Sequence, residues 1–582
     1  MQKNNKGLTV SKPSTLTRHR TTHLLELTDR LLAGRNAVAT TEDLERYIQE
    51  LWNWAEQNDV SSKDLPRDKG ELMFLNSLRL SDYQLTYLPE SIGKLQAMKE
   101  LYFKDSGALR EALGPWLQFK NLNLSNNQLS RLPNSIGSLI NLNTLTLSRN
   151  QLTELPRGIG NLTSLTKLDV WENQLTELPE WIGNLSQVTS LWLCDNQLKS
   201  LPKSIDNLSQ LTELNLGKNQ LSKLPDSIGY LTRLTELHLY KNMLVTLPDS
   251  INSLTQLNVL NLWGNQLKVL PDSIGDLAEL SWLNLHDNQL TKLPDSIGQL
   301  AALIELDLSE NKLTALPEEI GNLTQLSELG LRGNQLAALP EEIGNLTQLS
   351  ELDLRGSQLA ALPDSIGKLR RLTKLDLDEH KLTTLPESIG NLISLKNLWV
   401  SSNQLTSLPE SIGNLISLKN LWVSSNQLTS LPESIGKLRY LEKLLLMGNQ
   451  LKELPQSIGN LIFLEDLGLC FNELVALPAS IGNLTELSQL NLEGNQLTAL
   501  PETIGDLSEL TELNLADNQL TALPESIGKL TQLTMLDLSD NPLTALPKSI
   551  ANLTNLKTLK LSRYYGAIPQ SLLDNPNLSI EQ

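Results

Sequence analysis

Histidine and cysteine, the residues that most often perform catalysis, are rare in this chain. The sequence contains five histidines and two cysteines. The best candidates for a nucleophile and its base are Cys194 and His238, which fall on equivalent faces of predicted strands. Those strands lie two steps apart, about 10 Å, whereas a thiol and its base must come within hydrogen-bond distance. The pair therefore predicts neither a catalytic dyad nor shared zinc coordination.

Other short motifs give no better indication of catalysis. Gly-Lys occurs four times as SIGKL, with leucine where a phosphate-binding loop requires serine or threonine. Neither HExxH nor GxSxG is present. The two cysteines, Cys194 and Cys470, are too few and too far apart for a disulfide framework or a CxxC zinc site. The sequence predicts a reduced, intracellular protein that is not an enzyme and binds no metal or cofactor.

Charge and hydropathy restrict the class of partner. The formal net charge is −18 at pH 7, with a pI of about 4.9. This acidity predicts no nucleic-acid binding and favours a partner protein with basic and apolar surface. The chain has no run of about 18 apolar residues, so no membrane span is predicted. The N terminus lacks the apolar core of a secretory signal peptide, which predicts a cytoplasmic location and leaves export by another route open.

A repeat of constant length dominates the sequence. Asparagine recurs every 23 residues from Asn127 to Asn541, in 17 of 19 positions, and the exceptions are Ser357 and His380. In all 19 copies a proline follows after six residues and an isoleucine after nine. A fixed interval without insertions predicts a solenoid in which each copy is one coil.

The consensus LxxLxLxxNxLxxLPxxIGxLxx indicates how one coil is built. LxLxx alternates with period two, which predicts a short strand with its leucines on one face. The asparagine side chain has both donor and acceptor groups for the backbone of neighbouring coils. Proline ends the strand side because it cannot donate to a ladder, and PxxIGxL returns the chain in a turn or two of helix. Stacked copies therefore predict a parallel sheet on one side and short helical turns on the other.

This unit resembles the leucine-rich repeat in its 23-residue intracellular form, as in Ras-group, Roco-type and some bacterial effector proteins. The resemblance covers about residues 71–570. It implies an α/β horseshoe solenoid with a parallel β-sheet on the concave face and short helical or irregular turns on the convex face. It also implies that the concave face binds other proteins, without naming the partner. The identical segments 391–413 and 414–436 indicate a tandem duplication, which lengthens a solenoid by one coil.

The two ends are expected to differ from the repeats. Thr40 with Asp43 predicts a helix start, and an earlier helix is expected from about Leu16 to Leu32. A separate interaction domain is the alternative to an N-terminal cap. The predicted organisation is a disordered segment 1–12, a helical cap 13–70, about 21 repeats over 71–564 with an irregular second copy, and a C-terminal cap 565–582.

Positions that vary between copies are the candidates for function. Side chains two, four and six residues before each asparagine position are predicted to project from the concave sheet, and six of the ten tryptophans fall there. Such surfaces often bind proteins. The predicted main protein-binding site is Trp171, Trp192, His238, Tyr240, Trp263, Trp282 and His286. The predicted secondary site is Trp399, Trp422 and Met447.

Alternatives to these predictions stay open. Aromatic side chains on a sheet can simply pack against one another across strands. The two missing asparagines, Ser357 and His380, can reflect drift at tolerant positions or a local weak point in the ladder. The sequence predicts a non-enzymatic scaffold that binds a partner protein. The alternatives are a host-directed bacterial effector whose repeats select the target, and a purely structural spacer. The oligomeric state is not predicted.

Overall fold

The computed structural model describes residues 40–102 and 118–582. The chain divides into two compact units, Met1–Leu168 and Asp169–Gln582. The predicted disordered segment 1–12, the predicted helix near Leu16 to Leu32 and most of the irregular second copy lie outside the described residues.

The first unit begins with helix α1, Thr41–Gln57, where the sequence predicted a helix start. Thr40 and Asp43 form a capping box: the Asp43 amide donates to the Thr40 hydroxyl at 3.2 Å, and the Thr40 amide donates to the Asp43 carboxylate at 2.9 Å. One side of α1 is buried and includes Trp54. Trp52 lies at the edge and donates its indole N–H to the carbonyl of Pro66 at 2.9 Å.

Two further helices follow, α2 at Lys69–Phe74 and α3 at Leu95–Tyr102. The first coil has Tyr83 in the asparagine position, and its hydroxyl donates to Asp64 and accepts the Ser61 amide at 3.1 Å. Tyr83 thereby ties the coil to the segment that follows α1, which supports the cap over a separate domain. The capping role stays a prediction.

Lys99 on α3 is buried within the first unit, at 1% exposure. Its ammonium group donates to the carbonyl of Leu75 and lies 5.7 Å from the ring centroid of Phe119. Burial lowers the pKa of Lys99 to about 8. The unfolded chain, in which lysine titrates near pH 10.4, therefore binds more protons between pH 8 and 10, and stability rises with pH in that window.

The variant Lys99→Met should be more stable than the wild type at pH 7, by about 1–3 kcal/mol, because no charge is desolvated on folding. This difference should shrink as the pH is raised from 8 towards 10. Urea unfolding of the full-length proteins at several pH values measures both quantities. If the difference in the free energy of unfolding between the two proteins stays constant from pH 8 to 10, the pKa of Lys99 is not lowered by folding.

Each coil contributes one three-residue strand, and the paired strands are parallel. Leucines pair with leucines one 23-residue step away, as Leu306 does with Leu329. In the first unit the strands are β1 Ser77–Arg79, β2 Asn121–Asn123 and β3 Thr144–Thr146; β4 Lys167–Asp169 contains the boundary. In the second unit they are β5 Ser190–Trp192, β6 Glu213–Asn215, β7 Glu236–His238, β8 Val259–Asn261, β9 Trp282–Asn284, β10 Glu305–Asp307, β11 Glu328–Gly330, β12 Glu351–Asp353, β13 Lys374–Asp376, β14 Asn397–Trp399, β15 Asn420–Trp422, β16 Lys443–Leu445, β17 Asp466–Gly468, β18 Gln489–Asn491, β19 Glu512–Asn514, β20 Met535–Asp537, β21 Thr558–Lys560 and β22 Ser579–Glu581.

The return segment of each coil is a five-residue 3-10 helix that begins directly after the repeated proline. Its isoleucine is fully buried in every 3-10 helix of the described residues, as the LPxxIGxL pattern predicted. In the first unit these helices are Glu90–Lys94, Asn134–Ser138 and Arg157–Asn161. In the second unit they are Glu180–Asn184, Lys203–Asn207, Asp226–Tyr230, Asp249–Ser253, Asp272–Asp276, Asp295–Gln299, Glu318–Asn322, Glu341–Asn345, Asp364–Lys368, Glu387–Asn391, Glu410–Asn414, Glu433–Lys437, Gln456–Asn460, Ala479–Asn483, Glu502–Asp506, Glu525–Lys529 and Lys548–Asn552.

The repeated asparagines form a buried hydrogen-bond ladder between coils. The amide group of Asn265 donates to the carbonyl of Leu262 in its own coil at 2.9 Å and to that of Leu239 in the preceding coil at 3.0 Å. Its carbonyl oxygen accepts the Leu244 amide at 3.1 Å. The Leu262 carbonyl also accepts from Asn288 at 3.0 Å, so each such carbonyl joins two asparagines.

Ser357 and His380 interrupt this ladder in adjacent coils. Both are buried, and neither the Ser357 hydroxyl nor the His380 ring nitrogens make a well-formed hydrogen bond. In the regular pattern of the ladder, asparagines at positions 357 and 380 would both donate to the carbonyl of Leu354. Burial lowers the pKa of His380, although the nearby carbonyls of Ser357 and Leu354 oppose the shift. The imidazole is therefore held neutral in a slot that fits an amide.

The C-terminal end adds one element that the sequence did not predict. Tyr564 occupies the asparagine position and is buried, and its hydroxyl donates to the Ala567 carbonyl at 3.2 Å. A short helix α4, Gln570–Leu573, then leads into β22, which pairs with β21. The segment predicted as a cap thus contributes the last strand of the sheet.

Candidate functional site

The strand register of the second unit aligns the variable side chains in rows. Residues four before each asparagine pair directly across neighbouring strands, so Trp192, Asn215, His238, Asn261 and Asn284 form one row. Their leucine neighbours face the core and are fully buried or nearly so. The row and its flanking columns therefore occupy the opposite face of the sheet, called the sheet face below.

Three predicted site residues are stacked on the sheet face. The rings of Tyr240 and Trp263 lie 6.2 Å apart at 18°, and those of Trp263 and His286 lie 6.1 Å apart at 43°. The ammonium group of Lys241 lies 4.4 Å from the Trp263 ring centroid. All three rings are half-buried. Tyr240, Trp263 and His286, the aromatic stack, are thus partly exposed rings in fixed contact, as expected of a rigid binding surface.

Gly217 explains the position of Tyr240. A Cβ atom on Gly217 would lie 2.2 Å from the Tyr240 ring, so only glycine allows the ring to cross this coil. The Tyr240 hydroxyl comes close to the thiol of Cys194, which is buried rather than turned to solvent. Burial, with a smaller contribution from Asp169, raises the pKa of Cys194 to about 12. The thiol is therefore protonated at neutral pH and unsuited to act as a nucleophile.

The other residues of the predicted main site surround the stack. His238 lies on β7 and its Nε2 atom is 3.5 Å from a carboxylate oxygen of Glu236. Trp282 begins β9 and pairs with Val259 and Glu305. Trp171 and Trp192 belong to the two coils before that of Gly217, and all four side chains are half-buried.

The family is decided by comparison with known proteins. The family description "Leucine-rich repeat region" matches six overlapping segments that together cover residues 107–574. This chain belongs to the leucine-rich repeat proteins. The solenoid with a parallel sheet, predicted from the 23-residue unit, is confirmed.

Solved structures resemble this leucine-rich repeat protein along most of its length. A leucine-rich repeat protein of Leptospira interrogans is 37% identical, with a TM-score of 0.56, over 70% of this chain and 93% of that one. The plant peptide hormone receptor RGFR1 in complex with RGF2 is 30% identical, with a TM-score of 0.61, over 87% and 89%. YopM from Yersinia enterocolitica is 26% identical, with a TM-score of 0.61, over 88% and 98%. A search of curated proteins finds no match.

The predicted secondary site is also on the sheet face of the leucine-rich repeat protein. Trp399 and Trp422 pair across β14 and β15, with ring centroids 5.9 Å apart in an edge-to-face arrangement. The Trp399 indole N–H is buried without a partner, whereas Trp422 and Met447 are exposed. Beside Met447 the absence of a side chain at Gly468 leaves a hollow on the sheet face.

A belt of charge separates the two aromatic groups. Burial, followed by repulsion from Glu305 and Glu351, raises the pKa of Glu328. Burial is likewise the main reason that the pKa values of Asp353 and Asp376 are raised. The guanidinium group of Arg355 pairs with Glu379 at 2.6 Å, and it also opposes the raised pKa values of Asp353 and Asp376. Burial and neighbouring carboxylates still outweigh the nearby cations on this part of the sheet face.

Sequence analysis missed a second surface, because it followed only the sheet-face columns. Five apolar side chains are exposed in four consecutive coils, in the turn between each 3-10 helix and its strand. Comparing that turn from copy to copy would have found them, since nearly every other copy is polar there. These residues are Ile393, Ile416, Tyr440, Ile462 and Phe463.

Metal-binding clusters and membrane-spanning helices are both absent from the described part of the chain. Over residues 40–102 and 118–582, no group of three or more histidine, cysteine or acidic side chains has the geometry to hold a metal ion. In the same ranges no helix is both long and apolar enough to cross a bilayer.

Proposed function

We propose that this leucine-rich repeat protein is a non-enzymatic scaffold that binds a segment of a partner protein on the sheet face of its second unit. The observation that carries the proposal is the aromatic stack of Tyr240, Trp263 and His286. These half-buried rings are already in contact, so binding costs little side-chain entropy. Truncation of such anchors usually removes most of the binding energy.

The charged belt defines the chemistry of the partner. The pKa values of Asp353, Asp376 and Glu328 are raised mainly by burial and further by neighbouring carboxylates, and the cations near them only partly oppose this. A basic side chain brought next to them would stabilise the ionised carboxylates. We infer that the partner segment combines apolar or aromatic residues, which contact the stack, with lysine or arginine, which contacts the belt.

One of the similar structures supports binding of a peptide segment. The receptor RGFR1, solved in complex with RGF2, is a plant peptide hormone receptor with the same fold. The effector and spacer alternatives, the cytoplasmic location and the cap at 13–70 stay predictions. A spacer has no need for Gly217, whose missing side chain leaves room for the Tyr240 ring.

A peptide selection tests the proposal without knowledge of the natural partner. Random peptides of about twelve residues, displayed on phage, are selected on the full-length protein. We expect the enriched peptides to carry basic and aromatic residues. They should bind the Tyr240→Ala/Trp263→Ala variant at least about tenfold more weakly, since losing one hot-spot anchor costs about 2 kcal/mol.

The matched control is Tyr230→Ala. Tyr230 lies in the same coil as Tyr240, but it ends a 3-10 helix and is 68% exposed. This variant should bind the selected peptides as the wild type does. Far-UV circular dichroism verifies that each variant is folded, and Trp263→Ala alone serves if the double variant is not. Equal binding by wild type and a folded Trp263→Ala variant would reject the proposed site.

A further inference from the structure

The exposed apolar side chains missed by sequence analysis form one continuous surface, separate from the sheet face. Ile393, Ile416, Tyr440, Ile462 and Phe463, the edge patch, lie nine or ten residues before the ladder asparagines of four consecutive coils. Each exposes 47–60% of its area. Elsewhere in the second unit these two positions hold polar residues or alanine. An apolar cluster confined to four coils is more than scattered surface hydrophobicity.

The centre of the edge patch is ordered. The rings of Tyr440 and Phe463 are stacked, with centroids 5.9 Å apart and an interplanar angle of 10°. Together with Ile416 they line a shallow groove whose walls include Lys419 and Glu442. Stacked rings beside a groove provide a rigid surface that loses little entropy when it is covered.

Next to the edge patch, charged residues occupy a repeat position at which most coils have a hydrogen-bonding hydroxyl. Seven residues before the asparagine, most coils carry threonine or serine, whose hydroxyl donates to the preceding coil; Thr212 donates to the Thr189 carbonyl at 3.0 Å. The four coils of the edge patch instead carry Lys396, Lys419, Glu442 and Glu465. The backbone bonds persist here, as from the Glu442 amide to the Lys419 carbonyl at 2.8 Å. The charged side chains are therefore not required by the coil itself.

Duplication accounts for only part of this pattern. Residues 391–413 and 414–436 are identical, so Ile416 and Lys419 repeat Ile393 and Lys396 and count once. The coils that carry Tyr440 with Glu442 and Phe463 with Glu465 repeat no other coil. Apolar and charged substitutions thus occur together in at least three independent coils.

The order of these charges indicates what covers the edge patch. In this column the charges of the four coils run positive, positive, negative, negative, which is antisymmetric about the centre of the edge patch; Arg439, beside Tyr440, lies outside the column. A two-fold axis between the second and third coils would place Lys396 of one copy against Glu465 of the other, and Lys419 against Glu442. Within the described residues, Lys419 pairs with Glu442 at 2.6 Å, and no ion pair engages Lys396 or Glu465. A surface that matches itself after a half-turn is the requirement of an isologous dimer.

We propose that the edge patch is the centre of a symmetric interface between two copies of this chain. Four coils span only about 14 Å along the sheet direction, so neighbouring coils on both sides complete the contact. The sheet face is not part of this interface. Dimerisation and partner binding are therefore independent, and either can fail without the other.

Sedimentation velocity of the full-length protein tests the proposal. As its concentration rises from about 1 to 100 µM, the mass should increase from 64.7 kDa towards twice that value. The variant Tyr440→Ser/Phe463→Ser should stay monomeric over this range. The control Tyr230→Ser, which removes an exposed ring from a distant coil, should dimerise as the wild type does. A wild type that is monomeric throughout, or a folded patch variant that dimerises normally, would overturn the proposal.

Charge reversal tests the two-fold geometry. Lys396→Glu/Lys419→Glu makes all four charges negative, and Glu442→Lys/Glu465→Lys makes them all positive, so each variant should dimerise at least about tenfold more weakly. Mixing the two variants should restore association as a heterodimer. The variant with all four reversals should dimerise by itself, because its charges are again antisymmetric. If neither the mixture nor the fourfold variant associates, the two-fold arrangement is wrong.

Discussion

Replacing Asn311 by alanine is expected to lower the free energy of unfolding of the second unit by about 2–4 kcal/mol, because it leaves a buried amide without an acceptor. Asn311 is 5% exposed and lies in an uninterrupted part of the ladder. Its oxygen accepts the amide of Leu290 at 3.0 Å. Its amide group donates to the carbonyls of Leu285 and Leu308 at 2.9 and 3.0 Å.

The loss is specific to one backbone group. The Leu285 carbonyl still accepts from Asn288 at 3.1 Å, and the Leu308 carbonyl still accepts from Asn334 at 3.0 Å. Only the Leu290 amide is left without any acceptor, so hydrogen exchange should accelerate most at that residue and in the adjoining coils.

Asn322→Ala is the matched control for this substitution. It is in the same repeat interval, at the end of a 3-10 helix, and its side chain is exposed. Its effect should be below about 0.5 kcal/mol. Urea unfolding followed by circular dichroism measures both variants. Similar losses in the two would show that the ladder contributes no more than ordinary surface polarity.

The sequence was sufficient to predict the fold because each letter of the repeat has one structural task. The 23-residue interval set the strand register, and the proline set the start of every 3-10 helix. The asparagine was expected to satisfy neighbouring backbone groups. Its partners are one amide and one carbonyl of the preceding coil and one carbonyl of its own. The sequence could not specify them, because they depend on the left-handed residue that precedes each asparagine, such as Lys241 at φ 52° before Asn242.

The candidate site was predicted less completely than the fold. Periodicity placed Tyr240, Trp263 and His286 in one column, but it could not show that Gly217 lets Tyr240 cover Cys194. Whether a ring extends into solvent or lies across the neighbouring coil depends on the size of the residue beside it. The orientation of a ring is therefore determined by residues of two neighbouring coils, and the repeat consensus alone does not predict it.

The edge patch was overlooked for a related reason. The turn before each strand is usually polar, and the prediction of functional residues used only the columns that face out from the sheet. Leu415 and Leu438 are buried, whereas the nearby Ile416 and Tyr440 are exposed. The core of these coils is therefore complete without the exposed apolar residues. Positions with a nearly constant polar identity therefore merit the same comparison as positions that vary freely.

Restoring the interrupted ladder should have the opposite effect to Asn311→Ala. The variant Ser357→Asn/His380→Asn is expected to raise the free energy of unfolding by about 1–3 kcal/mol, because two buried side chains without well-formed hydrogen bonds are replaced by groups that complete the pattern. The Leu354 carbonyl would then receive two donors, and the amides of Leu336 and Leu359 would each face an acceptor. Hydrogen exchange over residues 336–382 should slow by about tenfold or more.

The pH dependence separates His380 from Ser357. Because burial lowers the pKa of His380 in the folded state, the unfolded chain binds the proton more readily, and the wild type should lose stability as the pH falls below about 6.5. His380→Asn removes this loss, whereas Ser357→Asn alone retains it. The raised pKa values of Asp353, Asp376 and Asp378 act in the opposite direction, and they are the same in all three proteins to a first approximation.

The quantity to compare is therefore the difference in the free energy of unfolding between His380→Asn and wild type, measured at pH 7.5 and at pH 5.5. A difference that does not grow on acidification would mean that the imidazole can be protonated within the ladder, and that the break at His380 is a tolerated replacement rather than a weak point.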